Sequence, residues 1–120
     1  MTSDLTTRKV SQRLMEVGFS ADTIYNWVLV KDVNGVEDYE LKEWYNSDSS
    51  PAYSASTLFE YLQAWVKASK ERFMEIQEDG MVASDWDVEG ANPWFKYETS
   101  LADMLANAII WILTQEKENK

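Results

Sequence analysis

The sequence predicts a single α+β domain. Three segments carry apolar residues at helical spacing, three regions alternate in steps of two, and 120 residues are enough for one hydrophobic core. The expected order is an N-terminal helix, a β-hairpin, a second helix, two to three further antiparallel strands, and a C-terminal helix packed on the sheet.

The first helix is expected from Ser3 or Asp4, either of which can cap it, to Val17. Val10, Leu14 and Val17 share one face, and Gly18 suits the left-handed position just past the end. Arg8, Lys9 and Arg13 make this the one basic region of the chain, which reads as a solvated face answering nearby carboxylates. Residues 24–45 predict the hairpin, because Asn34-Gly35 tolerates the two positive φ angles of a type I′ turn. Pairing Val33 with Val36 would place Ile24, Val28, Val30, Tyr39, Leu41 and Tyr45 on a core face. Tyr25 and Trp27 would then stand on the outer face, opposite Trp44 and Lys42 respectively. The stretch 46–56 is small, polar and interrupted by Pro51, so it is expected as an exposed flexible loop.

Thr57 and Glu60 have the spacing of a capping box, after which Leu58, Phe59, Leu62, Trp65 and Val66 fall within one arc of a helix. Residues 72–88 return to a period of two. A three-residue loop of Asp79, Gly80 and Met81, with Gly80 left-handed, would gather Met74, Ile76, Val82, Ser84, Trp86 and Val88 on one face. Trp94 to Tyr97 is short enough for one more strand, and Ser100 with Asp103 repeats the capping-box spacing. The last helix is expected from Leu101 to about Gln115, with 116–120 as a frayed tail. Leu101, Met104, Leu105, Ala108, Ile109 and Ile112 form its centre, while Ile110 and Trp111 lie on its flanks. So little polar surface remains that the helix implies burial on two sides or contact with another subunit.

Composition narrows the chemistry. With no Cys and no His, disulfides, thiolates and imidazole are excluded, so carboxylate, hydroxyl, amine and guanidinium remain. Eleven Lys and Arg against 21 Asp and Glu give a net charge of −10, which disfavours direct contact with nucleic acid or an anionic membrane surface. No apolar run has the length of a membrane span and residues 1–20 hold no signal-type segment, so the expected location is cytoplasmic.

Asp85-x-Asp87-x-Glu89-Gly90 copies the opening of a calcium-binding loop, but Lys96 stands where the bidentate Glu belongs and Pro93 interrupts it. A strand with the three carboxylates in water and Trp86 and Val88 facing inward is the expected reading. Asp32 with Glu40-x-Lys42 resembles a metal-dependent nuclease set, yet the Asn34-Gly35 register sends Asp32 to the opposite face. No metal and no cofactor is therefore expected. The third group is aromatic: six Trp exceed what a small core absorbs, and Tyr25, Trp27 and Trp44 on the outer hairpin face, with Ile110 and Trp111 on the last helix, are the expected partner-binding residues.

Three stretches carry a family resemblance: Val10 to Phe19 with its Gly18-Phe19 step, Pro51-Ala-Tyr53 followed by Leu58 to Val66 around Trp65, and Tyr97-Glu-Thr-Ser100-Leu-Ala-Asp103. In these the chain resembles small uncharacterised proteins encoded by phages, prophages and other mobile elements of gut Bacteroidetes. The resemblance implies a setting and no mechanism. The expected function is that of an accessory protein without catalysis, acting by protein–protein contact and with a homodimer among the arrangements it allows. The alternative is an acidic decoy that inhibits a host nucleic-acid-binding protein.

Overall fold

The computed structural model describes residues 4–86 and 93–118. Its elements in chain order are α1 (Arg8–Glu16), β1 (Asn26–Lys31), β2 (Glu37–Lys42), β3 (Ser50–Pro51), α2 (Ala55–Lys67), β4 (Arg72–Gln77), β5 (Gly80–Asp85), β6 (Trp94–Lys96) and α3 (Leu101–Glu118). The strands form two antiparallel sheets, ordered β2-β1-β3 and β4-β5-β6. The α+β class and the C-terminal helix packed on a sheet are as the sequence predicts. No helix among the described residues is long and apolar enough to cross a membrane.

The core is helical at its centre. Along α3, Ala102, Met104, Leu105, Ala108, Ile109 and Ile112 are buried, and they meet Leu14 of α1, Leu58, Leu62 and Trp65 of α2, and Met81 and Ala83 of β5. Cover from two helices and a sheet explains the wide apolar circumference of α3. Arg72 closes one side, with its Nε 3.0 Å from Asp85 Oδ2, its guanidinium 4.9 Å from the Trp65 ring centroid, and one terminal nitrogen donating to the Trp65 carbonyl at 3.1 Å.

The starts of α1 and α2 differ from the expected ones, while α3 begins at Leu101 as the sequence predicts. Residues 5 and 6 are extended and lie against 53 and 54, through the Leu5–Ser54 bridge and the bond from Thr6 N–H to the Tyr53 carbonyl, so α1 begins only at Arg8. Thr7 occupies its N-cap without a side-chain bond, and the carboxylate at this end comes from far along the chain: Asp103 Oδ1 accepts from the Thr7 N–H at 2.9 Å. Ser54, not Thr57, caps α2, accepting from the Thr57 N–H. Ser100 Oγ does accept from the Asp103 N–H, but the Asp103 side chain serves Thr7 and Thr99 instead of closing a box. Gly18, at φ +87°, takes the left-handed position after α1 as expected.

Both hairpins depart from the expected register. In the first, Asn26 faces Lys42 and Lys31 faces Glu37, one residue away from the pairing built on Val33 and Val36. Trp27, Leu29, Tyr39 and Leu41 therefore share a face, and Val28 lies on the other with Glu40. In the second, Gln77 faces Gly80, so the turn is Glu78-Asp79 and Gly80 belongs to the strand with no positive φ. Met74, Met81 and Ala83 line the core face, in place of Val82 and Ser84. Trp86 is 66% exposed and Asp85 is buried against Arg72, the reverse of the expected arrangement; Asp87, Val88, Glu89 and Gly90 lie outside the described residues.

Residues 50–55, expected in an open loop, are instead tied down. Ser50 and Pro51 pair with β1, and Ala52, Tyr53 and Ala55 are buried. The C-terminal helix also continues past the expected end, and Lys117 Nζ reaches the Glu16 carbonyl at 3.4 Å.

Candidate functional site

The expected partner-binding residues separate into two places. Trp27 is half-buried, and its indole N–H donates to the Thr6 carbonyl at 2.8 Å; beside it the Arg8 guanidinium lies 4.4 Å from the Tyr39 ring centroid. This hairpin face is thus covered by the segment leading into α1, because the one-residue slip turns Tyr39 and Leu41 toward Trp27. Tyr25 is half-buried too. What stays open is the end of the hairpin where the paired strands stop: Ile24, Trp44 and Tyr45 are 60%, 51% and 78% exposed, although Ile24 and Tyr45 are core residues in the expected register. The distal half of the hairpin also stands in solvent, from Lys31 to Asp38, and neither strand contributes to the main core cluster. It forms an arm on a molecule that measures 54 × 34 × 22 Å.

The slip has a second effect. It puts Asp32, Asp38, Glu40 and Lys42 on one face, which the expected register forbids. They do not converge on a metal site. Asp32 Oδ1 accepts from the N–H groups of Asn34 and Val36 at 2.8 and 2.9 Å, Lys42 reaches Glu40 at 3.8 Å, and among the described residues no group of three or more acidic side chains is placed to hold a cation.

Ile110 and Trp111 belong to another surface. Ile110 is buried, and the Trp111 ring lies 6.4 Å from that of Phe95. Both line a groove of about 480 Å³ over α3, walled by Arg13 of α1 on one side and by Trp94, Phe95 and Lys96 of β6 on the other. A second hollow of about 260 Å³ shares Arg13, Lys96, Glu98 and Asn107 with it and extends toward Lys9 and Thr7. Asp103 forms its floor, with one oxygen accepting from Thr7 and the other from Thr99 at 2.7 Å. Lys9, Arg13 and Lys96 have no carboxylate within 4.0 Å among the described residues.

Sequence reasoning finds Ile110 and Trp111 but misses Lys9, Arg13, Lys96, Trp94 and Asn107 as their neighbours. The signal for two of these is the basic run of α1, which the sequence suggests is answered by carboxylates and which the fold leaves largely unanswered. Comparison with known proteins gives no match to a family model, to a curated protein or to a solved structure.

Proposed function

We propose that the chain is an accessory protein that acts by protein–protein contact without catalysis, with the open end of the hairpin arm as its contact surface. The observation that carries this reading is the exposure of Ile24, Trp44 and Tyr45 together on an arm that the core does not use. Indole and phenol rings supply large contact area at low entropic cost and dominate interface energies. The absence of His and Cys from the chain narrows the means of catalysis and so favours the same reading. The resemblance to proteins of phages and mobile elements supplies its setting.

The first partner to test is a second copy, since a two-fold axis would set the same patch against itself. Light scattering over a range of concentrations reads the association, and a Trp44→Ala, Tyr45→Ala double variant is expected to stay monomeric where the parent dimerises. A parent that is monomeric throughout, and whose captured partners are the same as the variant's, overturns the reading.

A further inference from the structure

Among the described residues, the hydrogen-bond alternation of the second sheet leaves one edge of β6 without a paired strand. Tyr97 N–H donates to the Asp79 carbonyl at 3.0 Å, and Lys96 faces Gly80 in the same register, so Tyr97 and Phe95 direct their backbone groups toward β5. The N–H and C=O groups of Trp94 and Lys96 therefore point the other way, along the free edge. That edge borders the groove whose opposite wall is α1 and whose floor is α3. An extended segment placed there could continue the β4-β5-β6 sheet by one strand.

The charges of the groove say what kind of segment fits. Lys9, Arg13 and Lys96 line it without ion-pair partners among the described residues, in a chain of net charge −10. Of the two acidic groups present, Asp103 is buried, with each oxygen accepting a hydrogen bond, which leaves Glu98 as the exposed carboxylate. Asn107 borders both hollows, and its amide has no protein hydrogen-bond partner among the described residues. Trp94 and Trp111 add apolar surface on either side.

We infer that this groove binds an acidic, extended peptide segment of a partner protein, which adds to the free edge of β6 and sets its carboxylates against Lys9, Arg13 and Lys96. A nucleic acid fits less well. It cannot use the main-chain donors and acceptors of a strand edge, and its many phosphates would meet the negative field of the remaining surface.

The test is fluorescence anisotropy of a labelled peptide of about eight residues alternating glutamate and valine, at low salt. Saturable binding is expected, and a Lys9→Glu, Arg13→Glu variant, whose changes lie on the exposed face of α1, is expected to weaken it about tenfold or more with circular dichroism and melting unchanged. N-methylation of alternate peptide nitrogens should weaken it by a similar factor, because that removes the strand pairing. The Trp44→Ala, Tyr45→Ala variant should bind like the parent, which separates this inference from the hairpin reading. Lack of saturable binding, full binding by the charge-reversed variant, indifference to N-methylation, or equal binding of a thymidine oligomer of the same length overturns it.

Discussion

Gly80→Ala should destabilise the protein, against the usual sign for a glycine inside a strand. In an open strand position the added methyl restricts the unfolded chain and stabilises by about 0.5–1 kcal/mol. Here β6 crosses so close that a Cβ on Gly80 would stand 2.5 Å from Trp94 Cζ2 and 2.6 Å from both Trp94 Cε2 and the Phe95 carbonyl oxygen. The indole can swing outward, since Trp94 is half exposed, but the carbonyl moves only if β6 moves. Overpacking of this kind costs about 1–3 kcal/mol, and the backbone contact puts the expected net loss near 2 kcal/mol. For a domain of this size, that lowers the melting midpoint by about 8 °C. Urea unfolding measures the loss directly, and adding Trp94→Ala should recover part of it by removing two of the three contacts. A neutral or stabilising Gly80→Ala would refute the placement of β6 across Gly80.

Three further outcomes follow from other contacts. Arg72→Met removes the ion pair to Asp85, the bond to the Trp65 carbonyl and the stacking on the Trp65 ring, and should cost about 2–4 kcal/mol in urea unfolding, with Asp85→Leu added on top restoring part of it. Trp27→Phe keeps a ring but loses the donor to Thr6, so a loss of about 1 kcal/mol is expected by the same assay, and an unchanged midpoint would mean that the indole bond contributes nothing. Stability should also fall in alkali. Burial pushes the Tyr53 and Tyr61 phenols above their ordinary value of 10.0, a hydrogen bond from the Ala21 backbone opposing the first, and Glu116 adding to the second while Arg72 opposes it. A raised acid keeps its proton longer in the fold, so this contribution is whole below the unfolded value and is lost as pH rises through the folded one. Melts across that range, with Tyr53→Phe and Tyr61→Phe removing the slope, check the sign.

The helices were legible because each has a face that one physical rule describes. Leu58, Leu62 and Trp65 recur at helical spacing and are buried, and the two flanks of α3 are apolar because two helices and a sheet cover it. Their first turns were less legible. A cap needs only one acceptor within reach, and Asp103, 96 positions from Thr7 in sequence, can supply it only after α1 and α3 have packed. The groove was legible in halves for the same reason. Trp111 stands out on its own helix, but nothing local indicates that β6 and α1 will bring Lys96 and Arg13 beside it.

The registers of the hairpins were decided by features that alternation does not record. A one-residue slip carries every side chain of a strand to the other face, so apolar patterning fixes the register only when one face is wet. The first sheet is covered on both sides near β1: Val28 is fully buried on one face, while Thr6 and Arg8 cover Trp27 and Tyr39 on the other. Patterning is then nearly indifferent, and the turn decides. Asp32 holds a three-residue loop by accepting from two N–H groups, with Gly35 at φ +82° as its left-handed residue, whereas a type I′ turn would require a positive φ at Asn34 and would forfeit those two bonds, each worth about 1 kcal/mol net. In the second hairpin the glycine that looks like a turn residue is there for the ring of Trp94, so the turn moves to Glu78-Asp79 and the core face passes from Val82 to Met81. That shift also places Phe95 beside Met81 on the α3 side of the sheet, where it meets Trp111 and forms the wall of the groove.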